Sequence, residues 1–156
     1  MVRIGAHGNG ATTRSGARAG PWAPSGRLLD NRGVSDLYSA DEARAVLDRL
    51  RPVLDELIAV RADLAELGAA IQGGAASRLG GLPELKAAQA RLDELLSSVV
   101  GAGVQVKGIA PLLLDFPAVL DGEQVLLCWL EGDADLAWYH RADLGFAGRR
   151  PLPPSP

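Results

Sequence analysis

The sequence holds a single cysteine, Cys128, and only two histidines, His7 and His140. One thiol excludes an intrachain disulfide and fits a reducing compartment. No run approaches the roughly 18 to 20 apolar residues needed to span a bilayer, and no apolar signal core stands near the N-terminus. The expectation is a cytoplasmic protein. Neither sign of charge dominates: the net charge is −3 and the isoelectric point is near 5.3, which argues against a general nucleic-acid or membrane-surface partner. No Ser-His-Asp signature, dinucleotide fingerprint, phosphate loop or metal-ligand cluster is visible.

What is present suits a globular domain. The apolar share is 47% over 156 residues, and mean hydropathy is +0.08, values of an ordinary single domain. Residues 1–34 differ from the rest. They are rich in Gly, Ala, Ser and Arg, set Arg3, Arg14, Arg18, Arg27 and Arg32 against Asp30 alone, and show no period. Such a segment buries too little apolar surface to offset its ordering entropy, so disorder is expected. A basic arm touching nucleic acid is a weaker reading, and translation from Val34 a third, in which case this stretch is a mis-annotated extension. Residues 35–152 form the expected α+β domain, and 153–156 a tail.

The strongest pattern is a seam of Val46, Leu50, Val53, Leu57, Val60, Leu64, Leu67 and Ile71, spaced alternately by four and three. That spacing returns every apolar side chain to one helix face, as in a coiled coil. Ser39 and Glu42 fit a capping box at its start. Pro52 falls inside the pattern, where a kink is expected, since the seam continues in phase. The charged residues off the seam, Arg61 among them, read as a solvated face. To about residue 72 the helix is on the order of 50 Å long. Gly73-Gly74 and Gly80-Gly81 bracket a loop, and Pro83 suits the first turn of a second helix ending near Val100. The second helix, roughly 25 Å long, covers only the distal half of the seam. Val46, Leu50 and Val53 therefore need the rest of this chain or a second copy.

Beyond Gly101 the period becomes two. Val104 to Lys107 reads as a strand, Leu112 to Phe116 as another stopped by Pro117, and Asp121-Gly122 as a hairpin turn. Glu123 to Leu130 is apolar on both faces and belongs at the sheet centre. Asp135 to His140 reads as an edge strand, and 144–152 as too glycine-rich for a regular element.

Residues 37–152 resemble a bacterial and archaeal family known as domain-of-unknown-function family 2203. The residues that carry the resemblance are Ala43-Arg44, Val106-Lys107, Asp115-Phe116-Pro117, Leu127-Cys128-Trp129, His140 and Gly145-Phe146-Ala147-Gly148-Arg149. The sequence departs from the family pattern at Gly108, Leu113 and Tyr139. The resemblance implies no particular activity.

The polar residues worth testing are Lys107, Asp115, Cys128, His140 and Arg149. A turn at Gly132-Asp133 would put His140 opposite Val125 or Gln124, roughly 10 to 13 Å along the strand from Cys128. That separation argues against a Cys–His dyad, and Cys128 reads as a small apolar side chain in a central strand. Asp115 and His140 could share a ligand across that strand, yet two ligands fall short of the three or four of a zinc site. Their plain alternatives are a turn cap for Asp115 and a backbone-bonded strand-end imidazole for His140. Gly145 to Arg150 could gather backbone amides and two guanidinium groups around an anion. Its plain alternative is a glycine turn with Arg149 paired to an acid of the long helix.

The expected architecture is α+β: a long antiparallel helical hairpin on a small, mainly antiparallel sheet of three or four strands. Trp129, Trp138, Phe116 and Phe146 should cover the open half of the seam. The leading expectation for function is a non-catalytic interaction module, self-associating as a homo-oligomer through the seam. The alternative is a small metal- or anion-binding protein, or an enzyme, using Lys107, Asp115, His140 and Arg149, with Asp115 and His140 as the metal candidates. The sequence leaves the cofactor unknown.

Overall fold

The computed structural model describes residues 37–153. The expectations for residues 1–34, for His7 and for the last residues of the tail lie outside them. Helix α1 runs over Ala40–Gly73 and helix α2 over Leu82–Gly101. A five-stranded sheet follows: β1 (Gln105–Ile109), β2 (Leu112–Leu120), β3 (Glu123–Leu130), β4 (Trp138–His140) and β5 (Arg150–Pro151). The strands lie side by side in chain order, every pair antiparallel. The fold is α+β, with five strands where three or four were expected.

Helix α1 starts where its capping chemistry dictates. The Ser39 hydroxyl accepts from the Glu42 amide, and the Glu42 carboxylate accepts from the Ser39 amide. These reciprocal bonds satisfy two end amides and hold the Glu42 carboxyl below its usual range. The helix runs without interruption through Pro52 and ends on Gly74, whose φ of 65° is the left-handed cap a glycine supplies cheaply. Helix α2 carries Pro83 in its first turn.

Length explains how the seam is covered. The core joins Ala43, Val46, Leu47, Leu50, Leu54 and Leu57 of α1 to Leu95 and Val99 of α2 and to one face of the sheet. The rest of this chain therefore covers the proximal seam. Leu47 and Leu54, off the expected seam, are fully buried because α1 meets both α2 and the sheet there. At the far end Ile71 is 41% exposed, and Leu82, opening α2, is 56% exposed. Arg61 is no solvated charge. Its guanidinium donates to both carboxylate oxygens of Glu131 at 2.6 and 2.7 Å and to the Ile109 carbonyl at 2.5 Å. Glu131 also accepts from the Leu112 amide, so this pair clamps α1 to the β1–β2 turn and the end of β3. It holds the Glu131 carboxyl at about 2, with the Arg61 hydrogen bonds as the main cause.

Strand β2 does not stop at Pro117. The Pro117 carbonyl accepts from Tyr38, and Val119 donates to the Tyr38 carbonyl. The Pro117 nitrogen thus faces the side where β1 has already ended, so its missing N–H interrupts no ladder. Asp121 and Gly122 both have positive φ, 52° and 82°, and form the two-residue turn that pairs Leu120 with Glu123. Strand β3 is central, as expected. Strand β4 is shorter than expected and is no edge, because Arg150 and Pro151 pair with Tyr139 and Trp138.

Candidate functional site

The sheet has two faces of different character. Leu112, Leu114, Phe116 and Ala118 of β2 and Val125, Leu127 and Trp129 of β3 pack toward the helices. Side chains alternate along a strand, and paired residues of neighbouring strands share a face. The opposite face therefore carries Asp115 and its partner Cys128, then Trp138 opposite Cys128, and His140 opposite Leu126. Trp138 and Phe146 belong to this second face rather than to the helix seam. Trp129 and Phe116 do face the helices, as expected.

Three adjacent strands thus bring a carboxylate, a thiol and an imidazole together. One ligand atom from each of Asp115, Cys128 and His140 lies within 4.8 Å of the others. They are 3%, 1% and 4% exposed. His140 Nε2 stands 3.3 Å from Asp115 Oδ1, and His140 Nδ1 donates to the Arg141 carbonyl at 2.9 Å. Neither plain alternative describes this pair fully: Asp115 is buried against an imidazole, and His140 is bonded to backbone at one nitrogen only.

The expected separation of Cys128 and His140 is overturned. His140 pairs with Leu126, two residues from Cys128 and on the same face, instead of with Val125 or Gln124. The register differs because the 131–137 connection is not a tight turn: Asp133 caps Leu130 and accepts from Trp129 Nε1 before the chain reaches β4. Cys128 as a third member was therefore missed. One sequence signal could have found two of the three members. The Asp121-Gly122 turn pairs Leu120 with Glu123, and five steps back along each strand Asp115 meets Cys128.

Burial shapes the chemistry of these groups. It raises the Asp115 carboxyl above its ordinary value, against the opposing pull of the His140 ring and the Lys107 charge. It also pushes the Cys128 thiol up to about 11, helped by the neighbouring Asp115 charge and opposed by Arg149. At neutral pH this thiol is protonated, so proximity to His140 does not make it an activated nucleophile.

Lys107 and Arg149 flank the cluster without pairing to it. Lys107 is exposed, at the irregularity in β1 between Val106 and Gly108. The Arg149 guanidinium lies 4.9 Å from the Trp138 ring centre and 4.4 Å from that of Phe146. It pairs with no acid of α1, contrary to the plain alternative. The anion cradle expected over Gly145 to Arg150 is not built as such. The Gly148 and Arg149 amides are used within the Phe146–Gly148 turn. Arg150, paired with Tyr139, points to the opposite face from Arg149. Gly148 is there for packing: a Cβ would stand 2.6 Å from that of Leu144.

Among the described residues no helix is long and apolar enough to cross a membrane. Comparison with curated proteins and with solved structures found no match. The model of a family described as "Uncharacterized conserved protein (DUF2203)" matches residues 36–152. That span takes in both helices, all five strands and every residue of the cluster, and the chain belongs to this family.

Proposed function

We propose that the protein binds a transition-metal ion of the zinc class through Asp115, Cys128 and His140. One observation carries the reading. A carbonyl can only accept, so the bond to Arg141 fixes the proton on His140 Nδ1 and leaves Nε2 facing the Asp115 carboxylate at 3.3 Å. Two electron-pair donors at that distance need a proton or a metal cation between them. An imidazole whose other nitrogen donates to a backbone carbonyl is the usual arrangement of a metal-bound histidine. With bonds of about 2.0 to 2.3 Å, a tetrahedral ion needs ligand atoms about 3.3 to 3.6 Å apart. The Asp115–His140 spacing already meets this, and Cys128, with its sulfur within 4.8 Å of both, would close in on the ion as the third, softer ligand.

The test is metal binding by the intact protein after chelator treatment. One equivalent of zinc is expected, and cobalt in its place should show a thiolate charge-transfer band that Cys128→Ser removes. Absence of stoichiometric binding, or binding unchanged in both Cys128→Ser and His140→Ala, would sink the reading.

A second reading is a module that self-associates at the tip of the helical hairpin. It is supported by the exposure of Ile71 and Leu82 at the far end of the hairpin, while the proximal seam is covered by the rest of this chain. Light scattering at high micromolar concentration tests it, and a strict monomer would end it.

A further inference from the structure

The proposed ion has three protein ligands, so a tetrahedral sphere leaves one position for something else. The groups beside the cluster on this face of the sheet are aromatic and cationic. Trp138 is the cross-strand partner of Cys128, and the Arg149 guanidinium lies over the Trp138 ring, with Phe146 as its second ring contact. The register therefore sets Arg149 on the same face of the sheet as the cluster. Two rings hold the guanidinium while leaving its in-plane N–H groups uncommitted. Among the described residues no carboxylate pairs with it and no side chain or carbonyl accepts from it.

Charge counting gives the sign of the missing group. A divalent ion would neutralise the Asp115 carboxylate and the Cys128 thiolate, leaving the positive charges of Arg149 and Lys107 against the single neighbouring carboxylate of Asp133. The Arg149 charge is felt at the Cys128 sulfur and the Lys107 charge at Asp115. The donor set also limits the shape of an anion. A guanidinium fork matches a planar carboxylate edge. A phosphate would call for more donors, yet the neighbouring amides of Gly148 and Arg149 are used within their own turn.

We infer that the fourth metal position takes a small carboxylate ligand, bonded to the ion and to the guanidinium that Trp138 and Phe146 hold in place. This rests on the metal reading above. Such a ligand would complete the coordination sphere and offset the excess positive charge in one step.

The experiment uses the full chain loaded with cobalt, titrated with acetate and oxalate and followed by the visible spectrum of the ion. A saturable spectral change is expected. In Arg149→Gln the carboxylate should bind roughly tenfold or more weakly, the loss of a charge-assisted hydrogen bond, while metal affinity stays the same. Arg149→Lys, which keeps the charge without the fork, should weaken binding less, and unchanged cobalt affinity in both variants shows that a folding defect is not the cause. No spectral response in cobalt-loaded protein, or carboxylate binding in both variants as tight as in the native protein, overturns the inference and leaves the metal site standing. Inorganic phosphate binding more tightly than either carboxylate overturns the ligand class. Failure to bind cobalt at all removes the metal reading, and this inference with it.

Discussion

Asp115 and His140 come from strands that are not paired, yet their side chains meet at 3.3 Å above β3, the strand between them. Both are almost wholly buried. The pair sits directly beside Cys128.

Removing one member should therefore cost more than removing a surface contact. His140→Ala leaves a buried carboxyl without its ring partner, and the expected loss of stability is about 2 to 4 kcal/mol. Urea unfolding of the chelator-treated protein measures it. A loss within experimental error would mean that Asp115 finds another partner or solvent.

Cys128 should be slow to react. Its thiol is buried, and its ionisation is pushed to about 11. Alkylation of the native protein at neutral pH should lag far behind that of the urea-unfolded chain, with mass spectrometry counting the adduct. Equal rates would show that the second face of the sheet opens readily.

The Arg61–Glu131 clamp has a pH signature. The Glu131 carboxyl titrates at about 2 in the folded protein, against an ordinary value of 4.5. A folded value below the unfolded one means that the contribution is complete above about 4.5 and fades as pH falls toward 2. Because both side chains are about one-quarter exposed, solvent screening reduces it to about 1 to 2 kcal/mol. Glu131→Gln should thus destabilise at pH 7, with the difference from the native protein shrinking by pH 3. A constant difference would locate the effect in the Leu112 hydrogen bond instead.

Gly122 tests the turn that sets the β2–β3 register. Its φ of 82° lies where a side chain is strained, although a Cβ there would touch nothing. Gly122→Ala should cost about 1 kcal/mol through backbone strain alone, read as a lowered denaturation midpoint. No change would mean that the turn relaxes to another type. The register between Asp115 and Cys128 would then rest on packing.

The features legible in the sequence were those decided within a few residues. The Ser39–Glu42 box needs one turn of helix, and the Asp121-Gly122 turn needs two residues of positive φ. The apolar periods of 46–71 and 123–130 likewise depend only on which face each residue takes. These sufficed for the helical hairpin, the central strand and the α+β class. Even the pairing of Asp115 with Cys128 was within reach, because a two-residue turn propagates its register along both strands.

What tertiary structure alone decided depends on contacts between segments distant in the chain. The register of His140 is set across the 131–137 connection, whose length does not dictate where β4 docks. Arg61 reads as a surface charge until Glu131 comes to it from the end of β3. Arg149 takes an aromatic clamp instead of an acid because the C-terminal segment folds over the second face of the sheet. Sequence by itself determined the two helices and the central strand, since backbone preference and apolar period are local. Which polar groups meet was decided by packing, since a shift of one residue in register turns a side chain to the opposite face.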